Sequence, residues 1–152
     1  MNLSRHFTLE ELTHSDTARA RGIANTPTDE HLANMKVYLA PGLEQVREIC
    51  GGTPVNVHVA YRNPQVNRLV GGTPTSDHPK GFAADIDVPG QSPETTARLI
   101  AAAMKAGKIK VDQLIFEADR RTVHVSFNPV GRMMMGRQAG GPGSAIDWRW
   151  FR

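Results

Sequence analysis

Four short segments of the chain alternate apolar and polar residues, and this alternation constrains the fold more than any other feature. They span residues 55–61, 82–88, 113–117 and 122–127. Side chains of a β-strand point alternately to the two faces of its sheet, so this pattern predicts strands with one buried face. Only the sequence ADRR separates the last two segments, which is typical of a hairpin. The chain is therefore expected to contain a small antiparallel sheet.

Helical patterns surround these strands. Apolar residues recur every three or four positions from Leu32 to Ile49, and Pro41 is expected to kink or split that helix. A second helix should begin after Ser92, with Pro93 at its first position, and run to Gly107. Helices followed by an antiparallel sheet that one helix interrupts indicate an α+β fold.

The chain has 152 residues, which suits one domain with one core. We expect a single domain over residues 1–152, with an N-terminal arm at about 1–26 and a Gly- and Met-rich loop with an aromatic tail at 130–152. The single cysteine, Cys50, excludes a disulfide framework and a multi-cysteine zinc site. No stretch reaches the roughly 20 apolar residues that span a bilayer. We also expect the protein to be a monomer.

The chain carries 18 Lys and Arg residues against 15 Asp and Glu, a net charge of +3. A basic surface favours anionic partners, including the carboxylate-bearing polymers of a cell envelope. The basic residues are scattered and are not interleaved with aromatic residues, so we expect no nucleic-acid interface. The N-terminal residues lack a charged region followed by an apolar one. We therefore expect synthesis in the cytoplasm without a signal peptide.

If the apolar strand faces pack on the core, the opposite faces present an unusual group of polar side chains. They are His58, Arg62, Asp85, Asp87, Gln113, Glu117, His124 and Ser126. A sheet with one buried face usually turns unremarkable polar residues to solvent, whereas this group contains two histidines, three carboxylates and an arginine. The pattern indicates a functional site on that face.

Imidazole and carboxylate groups are good zinc ligands, and catalytic zinc sites generally use three protein ligands. His78, Asp85 and His124 form a candidate set. Gly81 allows the loop to turn so that His78 points back toward Asp85, and Ala83 leaves room for an ion. The pattern alone leaves open the alternative that His124 is a strand histidine with an ordinary surface hydrogen bond.

Several motifs together resemble those of the M15 peptidases, a family of zinc D-alanyl-D-alanine carboxypeptidases and phage endolysins. The pattern S-x-H-x-x-G-x-A-x-D is formed by Ser76, His78, Gly81, Ala83 and Asp85. A V-H-V-S strand surrounds His124, and Tyr61 and Arg62 come before both, followed by Asn63, Pro64 and Asn67. The resemblance covers about residues 5–128 and is greatest for the small phage-type branch.

The resemblance implies that His78, Asp85 and His124 bind one Zn²⁺ ion. It implies a small antiparallel sheet flanked by helices, as in the DD-peptidase and hedgehog-like zinc peptidase fold. It also implies hydrolysis of peptide bonds in the stem peptides of peptidoglycan, which would place the activity at the cell wall. Arg62 matches the arginine that, in relatives, steadies the substrate carbonyl or its oxyanion.

The general base is where the sequence departs from the family pattern. Many relatives carry an acid three positions before the last histidine ligand, where this chain has Arg121, which cannot accept a proton. Glu117 is the nearest acid on the correct face, and the hairpin would bring it beside His124. We therefore predict Glu117 as the base, with Asp87 and Asp119 as substitutes.

Other residues of the motifs are candidates for supporting roles. Ser76, Tyr61 and Ser126 are candidate substrate-binding residues, although hydroxyl groups of this kind equally suit hydrogen bonds to the backbone. Asp77 and Asp87 are candidates for carboxylates that orient the metal-binding histidines from behind.

Three functions remain open from the sequence. An endolysin-type endopeptidase would cut the L-alanyl–D-glutamate bond, and a D,D-carboxypeptidase would remove the terminal D-alanine. A module without catalytic activity would keep the metal for stability and bind the cell wall, and Arg121 in place of the usual acid is the argument for it.

Overall fold

The computed structural model describes residues 1–151, which form a mixed α/β structure with six helices and six strands. The helices are α1 (Leu9–Thr13), α2 (Asp16–Ala20), α3 (Asp29–Asn34), α4 (Ala40–Ile49), α5 (Pro64–Leu69) and α6 (Pro93–Lys105). The strands are β1 (Asn56–Val59), β2 (Ala83–Asp87), β3 (Gln113–Glu117), β4 (Thr122–Ser126), β5 (Met134–Gln138) and β6 (Ile146–Asp147). The predicted α+β class is confirmed.

All six strands form one sheet in the order β1-β2-β4-β3-β5-β6. The neighbouring strands are antiparallel, as predicted, except that β5 lies parallel to β3. The parallel pair arises from a strand that the sequence pattern did not reveal.

Polar side chains cap the N-termini of most of the helices. An oxygen of the residue before the helix accepts a hydrogen bond from a backbone N–H of the first turn in α1, α2, α3, α5 and α6. These contacts satisfy donors that have no partner inside the helix. The start of α6, with Ser92 as the cap and Pro93 in the first turn, is as predicted.

The helical stretch around Pro41 is split, as predicted, but the split takes the form of a wider turn. A π-helical segment, Met35–Leu39, lies between α3 and α4. Proline has no N–H to donate to the carbonyl four residues earlier. The π-helical segment ends two residues before Pro41, where the regular hydrogen bonds of the α-helix are interrupted.

The N-terminal residues are more ordered than the sequence suggested. The sequence predicted only an N-terminal arm over about residues 1–26, whereas α2 forms within it with Ser15 as its cap. Phe7, Leu12 and Ala18 are buried against the body of the protein. The side chain of Asn25 donates to the carbonyls of Thr13 and Tyr61, both at 2.9 Å, which fastens the arm to the rest of the chain.

The Gly- and Met-rich segment forms β5 and β6, although its sequence shows no clear period. Gly136 lies in the middle of β5, and a Cβ atom there would come within 2.7 Å of Ile146 and 2.8 Å of Trp148. The absence of a side chain lets the C-terminal residues pass close over the strand. A glycine contributes nothing to an alternating pattern, so the strand was missed.

The aromatic tail packs back onto the body. The ring of Trp150 lies 5.3 Å from that of Phe116 and 4.2 Å from that of Phe151, centroid to centroid. The guanidinium carbon of Arg98 lies 4.4 Å from the centre of the Trp150 ring. The predicted tail extends to Arg152, which lies outside the described residues.

The core lies between one face of the sheet and helices α4 and α6. Its buried residues include Leu39, Leu43, Val46, Ile86, Ile100, Met104, Leu114, Val123 and Val125. In the stretch 1–151, none of the helices combines the length and apolar character that crossing a membrane requires. The opposite face of the central strands carries the polar residues described next.

Candidate active site

The central strands turn their polar residues to one face, as their alternation predicted. In β2, Ala84 and Ile86 are in the core, and Asp85 points the other way. In β4, Val123 and Val125 are in the core. His124 is the direct cross-strand partner of Asp85, and this register brings the imidazole and the carboxylate together.

His78 reaches the same place from a loop. It begins a short 3₁₀ turn, His78–Lys80, which ends at Gly81 with φ +82°. A Cβ atom on Gly81 would lie 2.5 Å from the backbone oxygen of His31 in α3, so only glycine permits this close approach. The turn therefore packs against α3 and directs His78 into the interior, where it is 2% exposed.

His78, Asp85 and His124 form one buried cluster of potential metal ligands. One atom of each residue lies within 4.8 Å of the other two. Asp85 Oδ1 lies 3.3 Å from His78 Nε2 and 3.0 Å from His124 Nδ1. Two imidazole nitrogens and one carboxylate oxygen are a donor set that suits zinc.

The ring of His78 is fixed from behind. Its Nδ1 lies 2.6 Å from the carbonyl oxygen of Ala60. A carbonyl only accepts hydrogen bonds, so Nδ1 carries a proton and Nε2 keeps its lone pair toward Asp85. A metal-binding histidine commonly has such a partner on its other nitrogen, so the side chains present fit a zinc ion.

Burial and neighbouring charges shift the pKa of each member of the cluster. Burial lowers the pKa of His78, which favours the neutral ring that binds metals. Burial acts to raise the pKa of Asp85, but the charges and hydrogen bonds of His78 and His124 outweigh it and hold that pKa well below its usual range. For His124, burial opposes the charged ring, but Asp85 and Glu117 outweigh it and raise the pKa.

Glu117 is a buried carboxylate beside this cluster. It is 5% exposed, and burial together with the negative charge of Asp85 raises its pKa to about 7. Thr122 Oγ1 donates a hydrogen bond to Oε1 at 2.9 Å, and Arg120 Nη2 lies 2.8 Å from Oε2. A carboxyl group with a pKa near neutrality is suited to exchange protons at physiological pH.

Arg62 faces the same space. Its Nε is buried without a hydrogen-bond partner among residues 1–151. The negative charges of Asp85 and Glu117 act on its guanidinium group, although burial lowers its pKa. Arg62 is half-buried and lies in the wall of the cavity described next, so its guanidinium group is placed to meet a ligand there.

A cavity of about 310 Å³ lies over these residues. Its wall contains His78, Asp85, His124, Arg62 and Glu117. Further wall residues include Ser76, Asp77, Gln113, Ile115, Arg120, Arg132, Gln138 and Ile146. The predicted ligands, base and arginine therefore meet at one cavity.

The comparison with known families gives the context of this site. The sequence profile of the family described as Peptidase M15 matches residues 5–126, most of the chain. The chain belongs to the M15 peptidase family. No curated protein matches this M15 peptidase at a significant level. M15 peptidases depend on zinc, and the buried His78–Asp85–His124 cluster is of a kind that binds a metal.

Not every predicted site residue of this M15 peptidase reaches the cavity. The side chain of Tyr61 is 1% exposed in the core, where its hydroxyl lies 3.2 Å from His31 Nδ1. Ser126 is fully buried, and its Oγ accepts a hydrogen bond from the backbone N–H of Gln113 at 3.0 Å. Ser76 lines the cavity, and its Oγ accepts from the backbone N–H of His78 at 3.2 Å.

The two carboxylates proposed to orient the histidines lie differently from expectation. Asp77 accepts a hydrogen bond from Asn128 Nδ2 at 3.1 Å, and the acceptor for the ring of His78 is the carbonyl of Ala60. Asp87 Oδ1 contacts His58 Nε2 at 2.5 Å, on an exposed part of the sheet outside the cavity wall.

The structure also locates the acids and bases of the hairpin turn. Arg121, at the position where many relatives carry an acid, is exposed with φ +55° and lies outside the cavity wall. Asp119 is exposed as well. Arg120 and Thr122, which the sequence analysis did not select, contact Glu117 directly. The only sequence signal for them was their place in the turn beside the predicted base.

Proposed function

We propose that this M15 peptidase is a zinc-dependent hydrolase that cuts peptide bonds in the stem peptides of peptidoglycan. The observation that carries the proposal is the burial of His78, Asp85 and His124 as one donor set at the cavity that also holds Glu117 and Arg62. A metal-stabilised module that only binds the wall has no need for a base with a raised pKa beside the metal ligands.

The roles follow from the chemistry of each side chain. His78 Nε2, Asp85 and His124 Nδ1 would hold the ion. When bound, zinc supplies a Lewis acid that polarises the scissile carbonyl and makes water a stronger nucleophile at neutral pH. Glu117 takes the proton of the attacking water and passes it to the leaving amine. Arg62 donates hydrogen bonds to the negative oxygen that develops on the substrate carbonyl.

The charge of the cavity supports a substrate that carries carboxylates. The side chains of its wall include three arginines and three carboxylates: Arg62, Arg120, Arg132, Asp77, Asp85 and Glu117. A bound divalent ion therefore leaves an excess of positive charge in the cavity. Stem peptides of peptidoglycan are rich in carboxylates, so they match this excess.

Of the two bonds, we propose the L-alanyl–D-glutamate bond, because the motifs resemble those of the phage-type branch. The alternative is removal of the terminal D-alanine by a D,D-carboxypeptidase. We further propose that the enzyme acts at the cell wall and works as a monomer.

Digestion of purified peptidoglycan with the zinc-loaded enzyme, with and without a chelator, tests the proposal. Mass spectrometry of the products should show new amino termini at D-glutamate that disappear with the chelator. Release of D-alanine would identify a carboxypeptidase instead. An enzyme that binds the wall but yields no new termini in either condition would contradict the proposed hydrolase.

A further inference from the structure

Arg120 of the hairpin turn and Thr122 at the start of β4 contact both carboxylate oxygens of Glu117. Oε1 accepts from Thr122 Oγ1 at 2.9 Å, and Oε2 lies 2.8 Å from Arg120 Nη2. The side chain of Glu117 is almost fully buried, so water cannot replace these contacts freely. The orientation of the carboxylate therefore depends on Thr122 and Arg120.

Arg120 is held in turn by Gln138 of β5. Arg120 Nη2 donates to Gln138 Oε1, and Gln138 Nε2 donates to the carbonyl of Ser144 at 2.9 Å. The backbone fixes this contact, because Glu117 and Gln138 are register partners of the parallel pair and Ala118 N donates to Gln138 O at 3.0 Å. Gln138 itself is 6% exposed.

Gln138, the second partner of Arg120, lies beyond the part of the chain that matches the family. The match ends at residue 126, and β5 begins at Met134. The segment Met134–Asp147 nevertheless contributes Gln138 and Ile146 to the cavity wall. This side of the cavity is thus built by a segment outside the family match.

We propose that the segment Met134–Asp147 completes the active site by holding Arg120, through Gln138, against the carboxylate of Glu117. Arg120 and Gln138 are then positioning residues, and the inference rests on the proposed role of Glu117 as the base. Position matters because a base must lie within hydrogen-bond reach of the proton that it removes. A displacement of about 1 Å is able to cost on the order of 100-fold in rate.

Arg120 also acts on the charge of Glu117. The charged or titratable groups that face Glu117 are Asp85 from β2, His124 from β4, Arg120 from the turn, and Arg62. Asp85 raises the pKa of Glu117, whereas His124 and Arg120 lower it. Loss of the Arg120 charge should raise this pKa, which moves the acid limb of the rate profile to higher pH.

Substitutions in the turn test the inference in the zinc-loaded enzyme. Arg120→Gln should lower kcat by about 10- to 100-fold, leave KM within about twofold, keep the zinc content, and move the acid limb of kcat/KM to higher pH. Arg120→Lys keeps the charge and should keep the acid limb near that of the wild type while kcat falls. The matched control is Arg121→Gln, which removes the same charge from the exposed neighbour and should change neither kcat nor the acid limb.

A substitution in β5 tests the second contact. Gln138→Met removes the acceptor for Arg120 at similar volume, and it should lower kcat less than Arg120→Gln does, by about 3- to 10-fold. Gln65→Met, on the exposed surface of α5, is the control for the change in side-chain chemistry. Should Arg120→Gln fail to fold, Arg120→Lys and Gln138→Met carry the test.

A measurement without catalysis separates this inference from the proposed function. In the chelated protein, Arg120→Gln should lower the free energy of unfolding more at pH 8.5 than at pH 5, when each value is compared with that of Arg121→Gln. The reason is that Glu117 is ionised at pH 8.5 and then lacks its ion pair with Arg120. An inactive wild type would remove the proposed function and the inference with it. An active wild type whose kcat and acid limb survive both Arg120→Gln and Gln138→Met would overturn the inference alone.

Discussion

Single hydrogen bonds decide which atoms of the site are available for chemistry. The carbonyl of Ala60 accepts a hydrogen bond from the Nδ1–H of His78 and leaves the Nε2 lone pair free, while the register of β2 and β4 presents His124 Nδ1 to Asp85. Thr122 and Arg120 occupy the two oxygens of Glu117 in the same way. The metal-binding histidines and the predicted base therefore each have an orientation set by a neighbour.

Replacement of the base without change of shape tests its role at the level of one residue. Glu117→Gln should retain zinc, because Glu117 is outside the His78–Asp85–His124 cluster. It should lower kcat by about 10²- to 10⁴-fold, because an amide cannot accept the proton of the attacking water. Metal analysis and steady-state kinetics on the same preparation measure both. Near-normal turnover would show that another group is the base.

The raised pKa of Glu117 also predicts how stability depends on pH. In metal-free protein the folded state favours the protonated carboxyl, since burial and Asp85 raise the pKa from 4.5 to about 7. This contribution to stability is complete below about pH 4.5 and is lost as the pH rises through about 7. At pH 8.5, Glu117→Gln should therefore be more stable than the wild type, by at most about 3 kcal/mol.

Denaturation of the chelated proteins at pH 5 and pH 8.5 measures this difference. At pH 5 the carboxyl group is protonated and the substitution removes no charge, whereas at pH 8.5 it removes an ionised carboxylate together with its ion pair to Arg120. The change between the two pH values therefore measures the net cost of ionising Glu117 in the folded protein. An equal effect of the substitution at pH 5 and pH 8.5 would contradict a raised pKa. Thr122 donates equally well to an amide oxygen, so its hydrogen bond remains.

Among the elements, the short 3₁₀ turn before β2 has the tightest geometric requirement. Gly81 has φ +82°, and a Cβ there would meet the backbone oxygen of His31. Backbone atoms of α3 cannot rotate away as a side chain does, so the turn that carries His78 would have to move. The glycine of the sequence motif is thus explained by packing against a helix.

Gly81→Ala should be destabilised and should bind zinc more weakly. The matched control is Gly90→Ala, because Gly90 has φ +86° and nothing within 4 Å of an added Cβ. Both substitutions incur about 1–2 kcal/mol for the left-handed backbone, and Gly81→Ala should lose about 1–3 kcal/mol more through the clash. Thermal denaturation and zinc titration measure the two effects. Equal losses in the two variants would exclude the clash with α3.

The elements that the sequence predicted are those with a regular period. Alternation located β2, β3 and β4, and with them Asp85, Glu117 and His124. It also located β1, whose residues alternate between exposed and half-buried, although His58 pairs with Asp87 outside the cavity. It failed for β5, because a strand built around a glycine has no alternating signal.

At the scale of the whole molecule, the sheet separates stability from function. One face buries the core against α4 and α6, and the other holds the buried ionisable side chains of His78, Asp85, Glu117 and His124. Buried ionisable groups cost free energy unless they are paired or bind a metal. The protein without zinc should therefore be less stable than the protein with zinc, by an amount that depends on zinc concentration.

Addition of zinc should raise the melting temperature of the chain. At a free zinc concentration 1,000 times Kd, binding to the folded state contributes about 4 kcal/mol, which corresponds to roughly 10 °C for a chain of this size. His78→Ala should abolish the rise, whereas His14→Ala, at an exposed position, should keep it. Calorimetry of the chelated and zinc-loaded proteins measures the shift. A wild type indifferent to zinc, or an undiminished rise in His78→Ala, would show that the buried cluster does not hold the ion.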